Sequence, residues 1–245
     1  MALIFRDMST TYGRSPGGYI WLVLEPVAAI ALLSVAFSLA FRAPSLGDNF
    51  PLFYATAYLP FAFFNDASLK LSGAIRASKS LLIFPAVTFV DALAARFLLA
   101  AVINVLVFVT IIGGIAIIFD LTLVMEPLKI FNAAGMAMVL AAGIGTLNAY
   151  LFGTFPVWRR LWSVATRPLF ILSGIFFILE DVPEGLQFVL LFNPLFHATS
   201  SMRDGFYPTY DAIYVQPAFP YGVGVVCLFF GLLLLYRHHD EIIWK

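Results

Sequence analysis

The chain alternates between long apolar runs and short polar links, and this pattern predicts an all-α integral membrane protein. An α-helix rises about 1.5 Å per residue, so roughly 20 apolar residues are needed to cross the hydrocarbon core of a bilayer. These segments occupy most of the chain, and we expect residues 1–245 to form a single transmembrane domain. Six transmembrane helices are predicted, at about residues 20–41, 50–69, 97–118, 128–153, 161–179 and 217–236.

The first 19 residues carry apolar positions at helical spacing but too few of them to cross a membrane. Phe5, Met8 and Tyr12 fall on one face of a helix, and Arg6 and Asp7 lie off that face. Such a pattern is typical of an amphipathic helix that lies on the membrane surface. Because the segment lacks the pattern of a cleavable signal peptide, we expect residues 1–19 to remain as an interface helix before the first span.

The fifth predicted span starts like the others and then departs from their pattern. The apolar run that begins at Trp162 is interrupted by the polar residues 180–184, and the next apolar run, Leu186 to Phe192, has only seven residues. That length covers a fraction of the hydrocarbon core, so this run is predicted to dip into the membrane and return. Backbone that ends at membrane depth must be covered by protein or by a water-filled cavity. We therefore predict a re-entrant hairpin within residues 180–216 that borders a pathway.

The second span is unusually rich in aromatic residues. One helical face collects residues that are four, four, three and four positions apart, namely Phe50, Tyr54, Tyr58, Phe61 and Asn65. Packing against neighbouring helices or lipid is one explanation of this stripe. A substrate path is the other, because aromatic rings with polar tips suit the apolar faces and the hydroxyl groups of sugar rings. Tyr54, Tyr58 and Phe61 are therefore candidates for lining a substrate pathway.

Two of the predicted spans contain residues that point to particular contacts. Glu25 lies in the first span, and a carboxylate inside a membrane is a functional candidate by default. The alternative is an edge residue that caps a neighbouring backbone, since Glu25 is only a turn or so from the interface. In the fourth span, Gly135, Gly143 and Gly145 are predicted to permit close contact between helices.

Composition supports a membrane protein, and the distribution of charge predicts its orientation. Hydrophobic residues make up 62% of the chain and charged residues 11%, with a formal net charge of +0. If both termini are cytoplasmic, eleven of the 14 Lys and Arg residues lie inside, and only Arg42, Lys129 and Arg203 lie outside. This asymmetry follows the positive-inside rule. We therefore expect both termini and the polar segment 70–96 to be cytoplasmic, and residues 180–216 to be on the outer side.

No set of residues in the sequence has the pattern of a catalytic, metal or nucleotide site. The chain lacks the Gly-x-x-x-x-Gly-Lys-[Ser/Thr] phosphate loop, and it lacks the His-Glu-x-x-His and Gly-x-Ser-x-Gly motifs. His197 lies near Ser200 and Ser201 without a third orienting group, and Cys227, the only cysteine, lies in an apolar run. We predict no catalytic residues, no metal and no cofactor on this chain, and no nucleic-acid partner.

Two parts of the chain resemble permease subunits of the ABC-2 type. At the start of the chain the resemblance rests on Arg6-Asp7, Tyr12-Gly13-Arg14-Ser15, Gly17-Gly18-Tyr19-Ile20-Trp21 and Glu25-Pro26. The C-terminal half is similar to exporters of bacterial capsular polysaccharide and O-antigen at Arg167-Pro168-Leu169-Phe170, Ser173-Gly174-Ile175-Phe176-Phe177, Pro183, Asn193-Pro194-Leu195, His197 and Arg203-Asp204-Gly205. Many such proteins carry glutamate where this chain has Ser200, so a pair between that acid and Arg203 is not expected here.

The resemblance implies the ABC-2 permease fold and a half-transporter. Two copies of the chain would form the pathway, and two separate ATPase subunits holding ATP and Mg would bind beneath them on the cytoplasmic side. This agrees with the missing phosphate loop, since the chain needs another source of energy. Within the cytoplasmic coupling loop 70–96, the resemblance points to Arg76, Ser78, Lys79 and Ser80 as coupling positions. Ordinary loop polarity and inside-positive charge are the alternative explanation of these four residues.

The resemblance also implies an outer gate and further partners. Residues 180–216 would form the periplasmic gate hairpin and loop, and its gate residues would be Glu180, Pro183, Asn193, Pro194, His197 and Arg203. Family members that export capsule work with a periplasmic polysaccharide co-polymerase or adaptor and with an outer-membrane channel. Near the inner mouth, Arg159, Arg160 and Arg167 are expected to meet the anionic lipid end of the cargo.

The sequence thus predicts the permease subunit of an ABC exporter that moves a lipid-linked, acidic capsular polysaccharide across the bacterial inner membrane. ABC-2 permeases for O-antigen, teichoic acid, a small lipid or a drug would share this architecture and are the alternatives. A secondary transporter or an intramembrane enzyme acting on polyprenyl-linked sugars is more distant. The former would show broken spans or ionisable groups in two related halves, and the latter an acid/base pair.

Overall fold

A computed structural model describes residues 18–82 and 87–244. Every regular element in these two ranges is helical, which confirms the predicted all-α class for them. The predicted interface helix falls mainly on residues 1–17, which lie outside the described ranges. In chain order the helices are α1 (Gly18–Ser38), α2 (Phe50–Ser72), α3 (Ala74–Ala77), α4 (Lys79–Leu82), α5 (Phe89–Ile118), α6 (Pro127–Thr154), α7 (Pro156–Leu172), α8 (Glu184–Leu191), α9 (Pro194–Phe206) and α10 (Ala218–Trp244).

The connections between the long helices gather at two ends of the bundle. One end, which we call the hairpin end, holds residues 39–49, 119–126 and 173–217. These three segments are tied together by hydrogen bonds, for example from Ser45 Oγ to Asp181 Oδ2 at 2.5 Å and from the Glu126 amide to the Gly205 carbonyl at 2.8 Å. The other end, which we call the basic end, holds α3, α4 and the C-terminal turns of α6 and α10. The long helices α1, α2, α5, α6, α7 and α10 run between the two ends.

Within residues 18–82 and 87–244, four helices are long and apolar enough to cross a membrane, namely Ile20–Ser38, Phe89–Ile118, Pro127–Thr154 and Ala218–His239. These helices support a multi-pass membrane protein. Helix α2 has 23 residues but carries Asn65, Asp66 and Lys70, and α7 has only 17 residues. The predicted count of six spans therefore stays a prediction, and so does the membrane depth of the hairpin.

Helix α5 begins earlier than the span predicted at residues 97–118. Thr88 and Asp91 form a capping box in which Thr88 Oγ1 accepts the Asp91 amide at 3.2 Å and the Asp91 carboxylate accepts the Thr88 amide at 2.9 Å. This pair satisfies two amide groups that a helix start leaves without partners, so the helix begins at Phe89. The polar segment predicted at residues 70–96 consequently includes the last turn of α2 and the first two turns of α5.

Helix α7 is shifted relative to the span predicted at residues 161–179, since it starts at Pro156 and ends at Leu172. Proline suits the first turn of a helix because its missing amide hydrogen has no helical partner there. Two residues after the helix ends, Gly174 adopts a φ of 70°, a left-handed conformation that glycine tolerates best. A side chain at this position would also collide with the ring of Phe196 in α9. The helix therefore stops where α9 approaches it.

Helix α6 lies at the centre of the bundle and contacts α2, α9 and α10. A side chain at Gly143 would meet the backbone of Gly224 in α10, and one at Gly145 would meet the backbone of Ser68 in α2 at 2.9 Å. A Cβ atom added at Gly135 would likewise lie only 2.5 Å from the hydroxyl oxygen of Tyr221 in α10. The close helix contacts predicted along this span are thus confirmed.

Candidate functional site

Helix α9 places a polar sequence in the interior of the protein. Every one of its residues from Leu195 to Phe206 is buried, and the helix contacts α2, α6 and α10. The helix starts at Asn193, whose Oδ1 accepts the Leu195 amide at 3.0 Å, and Pro194 occupies its first position. Asn193 and Pro194 were expected at the gate, and here they set the start of the buried helix.

The apolar run from Leu186 to Phe192, which was predicted to dip into the membrane, forms α8 and the residue after it. Leu186, Phe188 and Phe192 are exposed, and only Leu190 of α8 is buried. Pro183 precedes the helix as its N-terminal boundary. The polar α9 is therefore the half of the hairpin that is buried inside the protein, and the apolar α8 lies on the protein surface. The dip of α8 into the membrane stays a prediction.

Arg203 is the polar centre of α9 and is only 1% exposed. Its guanidinium donates hydrogen bonds to the carbonyl oxygens of Gly174, Ile175 and Phe177 at 2.5, 2.8 and 2.7 Å. The carbon of the guanidinium lies 4.0 Å from the centre of the Phe53 ring, an arrangement that favours a cation. Burial lowers the pKa of Arg203 to about 10, so the group stays charged near neutral pH. Arg203 therefore satisfies the carbonyl groups that are left free where the chain leaves α7.

Two further side chains fasten α9 to the end of α7. Asn193 Nδ2 donates to the Leu172 carbonyl at 3.0 Å and to Ser173 Oγ at 3.3 Å. Thr199 Oγ1 donates to the Ser173 carbonyl at 2.7 Å. Ser173 belongs to a motif that carries the family resemblance, but the sequence assigned no contact to it and did not single out Thr199, because both look like ordinary small polar residues until the two helix ends are seen together.

The C-terminal half of α9 is fastened to the start of α6. Lys129 Nζ lies 2.9 Å from Asp204 Oδ1 and 3.0 Å from Glu126 Oε2. Ser201 Oγ donates to the Lys129 carbonyl at 3.3 Å. Sequence reasoning listed Lys129 only as an outer charge and missed this pairing, since 75 residues separate Lys129 from Asp204.

A chain of hydroxyl groups connects the exposed edge of the hairpin with the interior of α9. Tyr210 donates to Glu180 Oε2 at 3.3 Å, and the Tyr210 and Tyr214 oxygens are 2.6 Å apart. Tyr214 in turn donates to Ser200 Oγ at 3.0 Å. Burial raises the pKa of both tyrosines, so they stay protonated at neutral pH. Ser200 thus shares a hydrogen bond with the Tyr214 hydroxyl group.

His197 joins the end of α8 to the loop before α10. Its Nε2 lies 2.9 Å from the Leu191 carbonyl, and its Nδ1 accepts the Gln216 amide at 3.3 Å. Burial lowers the pKa of this imidazole, which suits the neutral form with Nε2 protonated. No group of His, Cys, Asp and Glu among the described residues could hold a metal. The six predicted gate residues thus all lie at the hairpin end, and their function as a gate stays a prediction.

A cleft of about 380 Å³ lies between α1, α2, α5 and the end of α7. Tyr58, Phe61 and Phe170 form its aromatic wall, with the Phe61 and Phe170 ring centres 5.2 Å apart. Two of the three predicted pathway aromatics therefore border a cavity. Tyr54 does not, because it is 2% exposed and its ring packs against Phe37 at 5.5 Å.

The polar rim of the cleft consists of Glu25, Asn65, Asp66 and Asn104. Asp66 Oδ2 accepts hydrogen bonds from Lys70 Nζ at 2.7 Å and from Asn104 Nδ2 at 3.0 Å. Glu25 forms no hydrogen bond or ion pair with any residue in the described ranges. The sequence flagged Glu25 but did not predict that Asp66 and Asn104 would lie on the same cavity.

Helix α7 is the opposite of α9 in burial, since none of its residues is buried. Arg159, Arg160 and Arg167 are exposed and form no ion pair with a described residue. The Arg159 guanidinium lies 5.5 Å from the Phe152 ring centre. Trp158 Nε1 donates to Asn148 Oδ1 in α6 at 2.9 Å and so holds the start of α7 against the bundle.

The four predicted coupling positions lie at the basic end. Arg76 is exposed, and its Nη2 donates to the Phe152 carbonyl at the end of α6 at 2.9 Å. Ser78 is buried, Lys79 is exposed, and the side chain of Ser80 is outside the described part. Helix α3, which carries Arg76, also contacts α5 and α10. A displacement of this short helix would therefore act directly on three long helices, α5, α6 and α10.

Comparisons with known proteins identify similar sequences along almost the whole chain. Residues 1–207 match the family described as ABC-2 type transporter. The chain is 29% identical over 240 residues to the Polysialic acid transport protein KpsM of Escherichia coli, covering 98% of this chain and 93% of that protein. It is 28% identical over 237 residues to the Capsule polysaccharide export inner-membrane protein CtrC of Neisseria meningitidis, with coverages of 96% and 89%. It is 26% identical over 242 residues to the corresponding protein BexB of Haemophilus influenzae, with coverages of 96% and 88%.

Proposed function

The chain belongs to the ABC-2 type transporter family, and from this membership we propose that it is the permease subunit of an ATP-driven exporter of lipid-linked capsular polysaccharide. The observation that carries the proposal is the extent of the similarity, because relatives named for polysialic acid transport or for capsule polysaccharide export align with at least 96% of this chain. The permease is a multi-pass protein of the bacterial inner membrane with both termini in the cytoplasm. It is a transport subunit and not an enzyme.

Energy comes from two ATPase subunits that bind ATP and Mg and dock at the basic end. The absence of a phosphate loop from the sequence supports this division of labour. Arg76 and Lys79 are exposed at that end and are available to a docking partner. Because Arg76 also holds the last turn of α6, a movement of the ATPase would be transmitted into the central helix of the bundle. Ser78 and Ser80 complete the proposed coupling segment.

Two copies of the chain enclose the pathway, with their α7 helices facing each other. A charged side chain exposed to lipid is costly, and α7 presents three arginines that form no ion pair in the described part of the chain. Water, an anionic cargo and a second protein surface are the surroundings that relieve this cost. Arg159, Arg160 and Arg167 then meet the anionic lipid end of the cargo from both sides of the pathway.

The remaining parts of the pathway follow from this arrangement. Tyr58 and Phe61 border the cleft beside the pathway, and Tyr54 supports them from within the bundle. The hairpin end forms the outer gate. There His197 ties α9 to the end of α8, Arg203 ties α9 to the chain after α7, and Glu180 accepts a hydrogen bond from Tyr210. A periplasmic co-polymerase or adaptor and an outer-membrane channel receive the polymer on that side.

Deletion of the gene with complementation tests this function. The expected result is loss of surface polysaccharide, its accumulation inside the cells, and recovery of both when the wild-type chain is restored. Surface polymer that remains unchanged after deletion would contradict the proposal. A change confined to the O-antigen, to a wall teichoic acid or to drug resistance would keep the transporter class and replace the cargo. Purification through a tag on the chain should also recover an ATPase subunit in equal amount.

A further inference from the structure

The polar side chains on the rim of the cleft between α1, α2 and α5 share one property. Each of them has an oxygen atom that accepts no hydrogen bond from the described residues. The Glu25 carboxylate has no partner among the described residues. Asp66 receives both of its hydrogen bonds on Oδ2, so Oδ1 is free of them. Asn104 Nδ2 donates to Asp66 and to the Ala100 carbonyl, the latter at 2.9 Å, and the Asn104 side-chain oxygen accepts no hydrogen bond from the described part of the chain. Carboxylate and amide oxygens can only accept, so this rim calls for a ligand rich in donors.

The other wall of the cleft is aromatic. Phe170 stands edge to face with Phe61 at 5.2 Å and with Tyr58 at 6.4 Å, and it is only partly buried. An exposed aromatic ring provides an apolar surface of fixed shape. The cavity volume of about 380 Å³ lies within the usual range of small-molecule sites, roughly 300–1,000 Å³. A fitting ligand therefore combines an apolar C–H face with several hydroxyl donors, which is the chemistry of a sugar ring.

The charged side chains around the cleft restrict the chemical class of the ligand further. A carboxylate or phosphate on the ligand would meet Glu25 and Asp66, both negatively charged, and the cation beside them, Lys70, is already paired with Asp66 at 2.7 Å. Like charges at contact distance repel strongly in a partly desolvated cavity. The anionic groups of the cargo belong instead beside Arg159, Arg160 and Arg167 on α7. The cleft and α7 thus differ in the chemistry that each is suited to receive.

We infer that this cleft binds one uncharged, hydroxyl-rich sugar ring of the exported polymer, an inference that rests on the function proposed above. Glu25, Asp66 and Asn104 accept its hydroxyl groups, and Phe170 and Tyr58 pack against its C–H face. Glu25 lies early in α1 and Asp66 late in α2, so the site is in the half of the bundle nearer the basic end. A ring bound there is selected before the polymer reaches the hairpin end. An acidic cargo must then contain at least one uncharged sugar in its repeat.

Protection of a cysteine from a maleimide reagent tests the site directly. The variant carries Asn65→Cys in a Cys227→Ala background, since Asn65 is exposed on the cleft and Cys227 is the only cysteine. The probe is the host's own surface polymer, cut by partial acid hydrolysis and separated into uncharged and acidic fragments. At a fragment concentration of about ten times its Kd, uncharged fragments should slow the modification about tenfold. Acidic fragments of equal length should slow it much less.

Two matched variants separate binding from a change in folding. Glu25→Leu with Asn104→Leu in the same background removes acceptors from the rim and should abolish the protection by uncharged fragments. Thr110→Cys lies on the exposed side of α5, outside the cleft, and its modification rate should not respond to any fragment. Each cysteine variant is also tested for export, so that only variants that still move polymer are compared.

The outcomes distinguish the sugar site from the proposed function. If deletion of the gene abolishes export and the export-competent Asn65→Cys protein is not protected by uncharged fragments, the sugar site is wrong and the exporter stands. Equal protection by acidic fragments, or a surface polymer that contains no uncharged sugar, also overturns the site. If deletion leaves the surface polymer in place, the proposed function fails and the sugar site fails with it.

Discussion

Helices α7 and α9 flank the same break in the chain and both carry arginine, but they use it in opposite ways. In α9, Arg203 is buried and donates to three backbone carbonyls of this chain. In α7 no residue is buried, and Arg159, Arg160 and Arg167 face outward. Polarity in α9 therefore completes the protein's own structure, whereas polarity in α7 remains on the surface of the chain. The difference predicts that changes in α9 impair folding and that changes in α7 impair transport.

The largest effect is expected for Arg203→Leu. This change leaves three carbonyls in a buried site without donors, and each buried unsatisfied group costs about 1–3 kcal/mol. The sum is a large part of the total stability of a typical domain. Gel filtration and thermal unfolding in mild detergent should show aggregated or strongly destabilised protein. Arg203→Lys should fail similarly, because an ammonium group lacks the planar set of donors.

Arg42→Leu is the matched control for that experiment, since Arg42 also lies at the hairpin end but is exposed. It should leave the thermal stability within about 0.5 kcal/mol of the wild type. If Arg203→Leu behaved like Arg42→Leu, the structural role of the buried arginine would be wrong.

The second effect is expected for Arg159→Gln, Arg160→Gln and Arg167→Gln combined. The protein should fold normally, because substitutions at exposed positions usually change stability by less than about 0.5 kcal/mol. Export should fall at least tenfold, equivalent to about 1.4 kcal/mol, because the anionic end of the cargo loses its cations. Surface polymer is quantified by antibody binding, normalised to the amount of permease in the membrane. A folded triple variant with full export would show that α7 does not contact the cargo.

The sequence predicted features that depend on a single helix better than it predicted the burial of α9. The arginines, the helical class and the close contacts at Gly143 and Gly145 follow from local pattern. Burial of α9 does not, because its polar residues look solvent-exposed until their partners are known. Thr199 and Asp204 find those partners 26 and 75 residues away in the chain. The dip of the apolar α8 into the membrane stays a prediction, and the burial of the polar α9 inside the protein was not predicted.

The positions of the helix ends and the lining of the cleft also could not be predicted from local sequence pattern. The end of α7 depends on Gly174 and on the approach of Phe196. Neither feature can be recognised in the hydrophobic pattern of the predicted span. Glu25 was recognisable as a carboxylate inside an apolar run. Glu25 lies near Asp66 and Asn104 because of the way three helices pack against one another. The periodicity within each helix does not determine that packing.

A third prediction compares one hydrogen bond from each helix. Thr199→Val in α9 keeps the shape of the side chain and removes its bond to the Ser173 carbonyl, so it should cost about 1–2 kcal/mol. Trp158→Phe in α7 removes the bond to Asn148 at a less buried site and should cost about 0.5–1 kcal/mol. Thermal unfolding of the two purified variants provides the measurement. Equal losses of stability in the two variants would argue against the distinction between the buried α9 and the exposed α7.

The smallest effect is a pH dependence that arises at His197. Burial lowers the pKa of this imidazole below its ordinary value of about 6.5, so the unfolded chain binds the proton at a higher pH than the folded chain does. The stabilising contribution is therefore complete above about pH 6.5 and is lost as the pH falls through the folded pKa. Acidification should lower the unfolding temperature of the wild type more than that of His197→Gln, which cannot gain a charge. Parallel curves for the two proteins would show that His197 does not titrate as described.

The account depends most on α7 being the surface where two copies meet, and cysteine cross-linking in native membranes tests this directly. Single cysteines replace Val157, Leu161 and Val164 on α7 in a Cys227→Ala chain, and Val109→Cys on α5 serves as an exposed control. After mild oxidation, at least one α7 position should give a covalent dimer on a non-reducing gel, whereas Val109→Cys should remain monomeric. Dimers formed at Val109→Cys but at none of the α7 positions would contradict the account.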